Sequence, residues 1–463
     1  MKQLLAVLLL LSVLNVALPA QAAPQHPQTG ISPAHQSGLM GMAIRDPWYE
    51  FGTNPNFPNQ PNYTFQDNMG AALALAGVEW VRLEFHIPIG ADAATVTQEI
   101  AKNDYFIREV APRHGIKVLA LLGFDLLRHS EALDLNCESA SCLVPNSRFG
   151  GGVNQAMELW LTRALEIAAR YRDQIGAYQI LNEQNRLPPS GQAISPKIMG
   201  RLQTKFYRFC KNINPTNENH GCTNSYIIMG GLHPRGTGTL GKPGYMSDAE
   251  YLKALYNDSS FKDFYSQYGF YPNDAVAYHP YPEEIRLSIS NVYVDQGLQR
   301  IRKALEEISP PKVGSQNPAC VPFWITEVGY NVGFDPDGPK NPIPVQTEQG
   351  QVDFMTDIYT SLPARQLNAQ RCGANQPEVA KIFWFKFEDF PPAVTRYNDK
   401  GEPVEYAQQW GVVRIPILSD GGCEGGCYDP NGRIQFYRPA FWTYRDFAKP
   451  VRLYLPVIGA NGS

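Results

Sequence analysis

Two glutamates stand out by their setting. Glu183 closes the run Tyr178-Gln179-Ile180-Leu181-Asn182-Glu183, and Glu327 closes Phe323-Trp324-Ile325-Thr326-Glu327. Each ends a short apolar segment that reads as a buried strand, and turn-like residues follow each. A carboxylate at the exit of a buried strand costs free energy unless it is paired or used. Two such groups, 144 positions apart, suit a reaction in which one carboxyl donates a proton while the other, ionised, attacks carbon. That division of labour is the chemistry of glycosidic-bond hydrolysis. It needs two environments that push the two carboxyl groups toward different protonation states.

The elements that must bring the pair together are legible as eight apolar runs, at 39–44, 79–85, 117–124, 177–182, 226–232, 274–279, 323–326 and 381–387. Near-continuous apolar runs of this length read as parallel strands covered on both faces. Helix-like spacing separates them, most clearly at 155–168, and again at 292–308 and 349–362. Alternating strand and helix, eight times over, predicts an α/β fold of the (β/α)8 TIM-barrel type over residues 39–450, a single catalytic domain. An open doubly wound sheet is the competing arrangement. It lacks the Gly-x-Gly-x-x-Gly that a dinucleotide-binding sheet carries after its first strand. In a barrel, the strand ends share one mouth, which places Glu183 and Glu327 across a common cavity. Pro- and Gly-rich stretches at 187–195, 236–246 and 331–344 are expected to wall it.

With those elements in place, the chain resembles the retaining glycosidases of glycoside hydrolase clan A over nearly all of the predicted barrel. The resemblance rests on Asn182-Glu183 ending the fourth strand, Glu327 ending the seventh, Arg82 in the second, His279-Pro280-Tyr281 at the sixth and Trp384 in the eighth. It extends to 410–413 and to a final helix opening Pro439-Ala440-Phe441-Trp442. Within the clan it is five-like or thirty-nine-like. Family five members usually carry a His after strand three, where this chain has Phe124-Asp125, and the accessory β-domain usual in family thirty-nine has no obvious room.

The resemblance implies Glu327 as nucleophile and Glu183 as acid/base, with Arg82, Asn182, His279, Tyr281 and Trp384 binding substrate or orienting the acids. Arg82 and the Tyr281 hydroxyl would keep Glu327 ionised, Asn182 would bond the sugar 2-hydroxyl, and Trp384 would offer its face to the ring. Each has a structural rival: Arg82 pairing with Glu84 or another barrel carboxylate, His279 as a satisfied core histidine, Trp384 as core packing. Glu388 and Asp389 could also bind sugar hydroxyls, and Trp48, Tyr49, Phe124 and Tyr330 could wall subsites.

Composition bounds the rest. Residues 1–23 have a lysine followed by an apolar run and Ala20-Gln21-Ala22, the pattern of a secretory signal peptide. A Pro/Gln/His-rich linker over 24–38 follows, and 451–463 form a C-terminal tail. No later segment reaches spanning length, so stable membrane insertion is not expected. A formal net charge of -4 without a basic run argues against nucleic acid as partner. Eight cysteines behind a signal peptide favour disulfides, with Cys137–Cys142, Cys210–Cys222, Cys423–Cys427 and Cys320–Cys372 the expected pairs. No paired Cys-x-x-Cys motifs and no His-Glu-x-x-His point to zinc, and no cofactor is expected. The expectation is a secreted enzyme cleaving a plant or microbial glycan by double displacement. A carbohydrate-binding barrel without catalysis and a transglycosylase are the alternatives.

Overall fold

The computed structural model describes residues 38–449 apart from 45–52, 55–56, 88–89, 128–133, 187–192, 214–219, 235–245, 282–290, 309–315, 333–346, 390–394, 398–402, 406–408 and 419–426. Eight strands form one parallel sheet: β1 (Met40–Ala43), β2 (Trp80–Glu84), β3 (Lys117–Leu122), β4 (Ala177–Asn182), β5 (Tyr226–Gly231), β6 (Val276–Tyr278), β7 (Phe323–Val328) and β8 (Val379–Trp384). Each strand pairs with its sequence neighbour, and β1 pairs with β8. Parallel bridges Ile228↔Ala275 and Leu232↔Tyr278 join β5 to β6 and close the ring. This is the (β/α)8 barrel.

Helices cover the strands: α1 (Tyr63–Ala76), α2 (Ala93–Ala101), α3 (Gln155–Tyr171), α4 (Pro196–Cys210), α5 (Asp248–Asn257), α6 (Ser259–Tyr268), α7 (Asn291–Glu306), α8 (Glu348–Ser361) and α9 (Pro439–Ala448). Local sequence sets where they start. Asn154, Ser195 and Thr347 accept backbone N–H bonds at the N-termini of α3, α4 and α8, and Ser247 with Glu250 forms a capping box on α5. Gly77 closes α1 in the left-handed region at φ 80°, a conformation open to glycine at little cost.

Strand alternation divides the core in two. Trp80, Leu119, Ala177, Ile228, Ala277, Trp324 and Phe383 fill the barrel interior, and the other strand faces pack under the helices. β8 begins and ends earlier than its apolar run suggests, at Val379 and Trp384 rather than 381 and 387. Alternation along the strand decides the fate of Trp384. With Phe383 pointing inward, Trp384 points outward, fully buried against Phe354 of α8 at 6.1 Å between ring centroids.

Cys137–Cys142, Cys210–Cys222 and Cys320–Cys372 are disulfide-bonded, as expected. The last closes the longest loop, 52 residues, for which chain entropy alone stabilises by about 4 kcal/mol. The Cys423–Cys427 pair, the signal peptide and the C-terminal tail lie outside the described residues, as do Trp48 and Tyr49. Among the described residues no helix is long and apolar enough to cross a membrane.

Candidate active site

Glu183 and Glu327 meet at the mouth of the barrel. One carboxylate oxygen from each and a ring nitrogen of His279 all lie within 4.8 Å of one another. Neither acid reaches this position by simple alternation. On β7, Thr326 and Glu327 are successive residues, yet both turn into the barrel: the Thr326 hydroxyl lies 2.9 Å from His279 Nε2, and Glu327 Oε1 lies 2.8 Å from Arg82 Nη1. A register shift against β8, between Ile382 and Trp384, supplies the extra residue that permits this. On β4, Leu181 at φ 62° and Glu183 at φ 45° flank Asn182. Non-glycine residues held in the left-handed region cost about 1–3 kcal/mol each and persist where packing over-determines them.

Arg82 organises the Glu327 side. Its guanidinium donates to Glu327 at 2.8 Å, to Asn182 Oδ1 at 2.8 Å and to Gln179 Oε1 at 3.0 Å. With the guanidinium only 6% exposed, three charge-assisted bonds hold it in one orientation. The rival expectation, Arg82 spent on Glu84, does not describe these contacts. Asn182 is already engaged by Arg82 through the oxygen that a sugar hydroxyl would otherwise address.

The Glu183 side is built around two histidines. His279 Nδ1 lies 3.1 Å from Glu183 Oε1 and 3.7 Å from Glu327 Oε2, so one nitrogen stands between the two acids. His233, just after β5, brings its Nδ1 to 3.4 Å from Glu183 Oε1, and Arg186 donates to Glu183 Oε2 at 2.8 Å. Burial pushes the Glu183 carboxyl upward, but the charge and hydrogen bonding of His233, then of His279, outweigh it and leave the group well below the usual carboxylate range. The expected effect, a Glu327 charge keeping Glu183 protonated, is therefore not what dominates.

Two expected roles are corrected. The Tyr281 hydroxyl is buried and makes no hydrogen bond, so it does not hold Glu327. Burial, then the negative charges of Glu327 and Glu183, push its phenol well above the ordinary value. Its ring instead meets Trp410 edge-on at 5.8 Å, and Trp410 meets Phe385 at 5.7 Å. Trp384 cannot floor a sugar site from the helix-facing side of β8. Phe385, the next residue and only partly buried, is the aromatic nearer the opening. Glu388 and Asp389 are buried beyond β8, Glu388 beside Lys386 and Asp389 beside Arg438. Phe124 and Tyr330 are half-buried, and Tyr330 packs on Phe354.

The sequence reading passed over His233, Arg186, Gln179 and Thr326. His233 was findable as the first polar residue after a buried strand, and Gln179 as the polar residue inside an apolar run. A cation could bridge the Glu183–His279–Glu327 spacing, but Arg82 and Arg186 already bring positive charge to both carboxylates. The donor set therefore suits proton handling better than metal binding.

No protein-family model and no curated protein matches the chain. Solved structures do resemble it. A family 39 glycoside hydrolase from Bacteroides cellulosilyticus is 12% identical, covers 88% of this chain and 63% of its own length, and has a TM-score of 0.44. A family 5 mannosidase from Rhizomucor miehei is 9% identical over 89% of this chain and 92% of its own, with a TM-score of 0.48. An endo-beta-1,4-mannanase from Thermotoga petrophila is 12% identical over 89% and 76%, with a TM-score of 0.46. This chain thus spans less than two thirds of the first of them. Likeness at this level concerns chain path; the chemistry of the mouth follows from its own side chains.

Proposed function

We propose that this chain is a secreted retaining glycoside hydrolase acting on O-glycosidic bonds of a plant or microbial glycan. The observation that carries the reading is the spacing of Glu183 and Glu327, with carboxylate oxygens within 4.8 Å. Retaining enzymes keep their two carboxyl groups about 5–5.5 Å apart, whereas inverting ones leave about 6.5–9.5 Å for a water.

Glu327, ionised against Arg82, attacks the anomeric carbon and forms a glycosyl–enzyme ester. Glu183, in its protonated form, delivers its proton to the departing oxygen. It then accepts a proton from the water that opens the ester. His279, bonded by Thr326 on its far nitrogen, keeps its Nδ1 aimed between the two acids. Asn182, fixed by Arg82 through its oxygen, presents its amide edge to the substrate. Phe385 and Trp410 offer apolar surface to the C–H face of a sugar.

A 2-deoxy-2-fluoro glycosyl inactivator tests the nucleophile directly. Mass spectrometry of the labelled, digested protein is expected to find one adduct, on the peptide containing Glu327. Turnover of a glycan panel without any adduct at Glu327 would remove the assignment. Products formed with an added acceptor sugar separate hydrolysis from transglycosylation.

A further inference from the structure

A second site lies on the flank of the barrel. Arg201, Thr204, Lys205 and Arg208 follow one another at helical spacing on α4 and line a cavity of 330 Å³, completed by Arg148 and Gly151 of the loop before α3. None of Glu183, Glu327, Arg82, His233 or His279 lines it.

Its chemistry is one-sided. Four cationic side chains line the cavity, and among the described residues no carboxylate does. Glu138 neutralises part of the Arg201 charge at 3.2 Å and also pairs with Lys197, and Glu158, which takes the Ser147 hydroxyl, lies near Lys205. Burial, then the charges of Arg208 and Arg201, push the Lys205 ammonium down to about 8, as expected for cations crowded without enough anion. Two polar atoms of the lining, Thr204 Oγ1 and Arg208 Nε, are buried with no hydrogen-bond partner. Buried polar atoms in folded proteins are nearly all satisfied, and both of these belong to residues of the cavity wall, beside its four cations.

We propose that this cavity binds a tetrahedral oxyanion, sulfate or phosphate, either free or carried as an ester on a sugar. Arginine, lysine and a threonine hydroxyl can all donate to such oxygens, and the volume leaves room for an attached ring. The proposal is independent of the hydrolysis reading.

Titration calorimetry of the full chain with sodium sulfate and sodium phosphate, against sodium chloride at equal ionic strength, tests it. Saturable binding is expected for the oxyanions only. Lys205→Gln should weaken it roughly tenfold or more, the effect of losing one charge-assisted bond. Gly151→Asp is a second variant that leaves the fold intact, because a Cβ there meets nothing within 4 Å. Its carboxylate should abolish binding. Glucose 6-sulfate or 6-phosphate binding tighter than the inorganic ion supports an ester on a sugar, and the reverse order supports the free ion. Absence of saturable binding, or undiminished affinity in Gly151→Asp, overturns the proposal.

Discussion

Two pairs of acids sit just beyond strand ends of one barrel and meet opposite fates. Glu183 and Glu327 face the open mouth, with side chains 13% and 12% exposed, and share His279 between them. Glu388 and Asp389, past β8, are sealed in. Glu388 pairs with Lys386, both side chains essentially unexposed. Asp389 accepts the Gly411 N–H at 3.0 Å and the Arg438 guanidinium at 2.8 Å. Arg438 is the residue before α9, so the start of the C-terminal helix is tied to Asp389. The difference teaches what position alone does not: whether a strand-end acid faces the mouth depends on which later segments bring partners to it.

The largest expected effect breaks the mouth. Glu327→Gln should lower kcat by several orders of magnitude, and Glu183→Gln by about 10²–10⁴-fold, with urea unfolding little changed. Near-wild-type turnover in either variant would end the assignment. The sealed pair should behave in reverse. Asp389→Ala leaves Arg438 buried without its carboxylate and should cost about 3–5 kcal/mol in urea unfolding, while kcat per folded molecule stays at the wild-type value.

A pH test sharpens the same contrast. Burial pushes the Asp389 carboxyl up to about 6 from an ordinary 3.8, against the opposing pull of Arg438. The folded state therefore favours the neutral acid. That contribution is fully present below about 3.8 and is lost as pH rises through about 6. Asp389→Asn should flatten the slope of stability against pH in that window; an unchanged slope would mean another group titrates there.

At the mouth the corresponding lever is His233. Its charge is the main influence holding the Glu183 carboxyl down against burial. His233→Ala should therefore raise the pKa of the acid and move the alkaline limb of kcat/KM to higher pH. A downward or absent shift would show that His279 and Arg186 alone set the acid. The smallest effect is expected at Trp384. Trp384→Phe removes buried volume beside Phe354 and should cost about 1–2 kcal/mol of stability, with KM unchanged. A large rise in KM would return Trp384 to the sugar site.

Much of this was legible in the chain. Apolar runs bounded by turn residues located all eight strands, because burial on both faces leaves a local composition signal. Asn182-Glu183 and Glu327 were legible as acids too costly to leave idle at strand ends. Trp384 and Phe385 were not separable, since adjacent aromatics in one run carry no mark of which faces inward. The bulge that turns Glu327 into the barrel left no mark either, because it is a property of the pairing between β7 and β8.

What the sequence by itself determined, then, is the barrel and the two strand-end acids that it brings to one mouth. Each depends on residue type and short-range spacing. Only the tertiary structure decided that Arg82 also ties down Asn182 and Gln179, that His233 and His279 flank Glu183, and that Asp389 is held by Arg438. Those contacts join residues tens to hundreds of positions apart. Ring closure and the final helix bring them together, and no local pattern along the chain encodes that meeting.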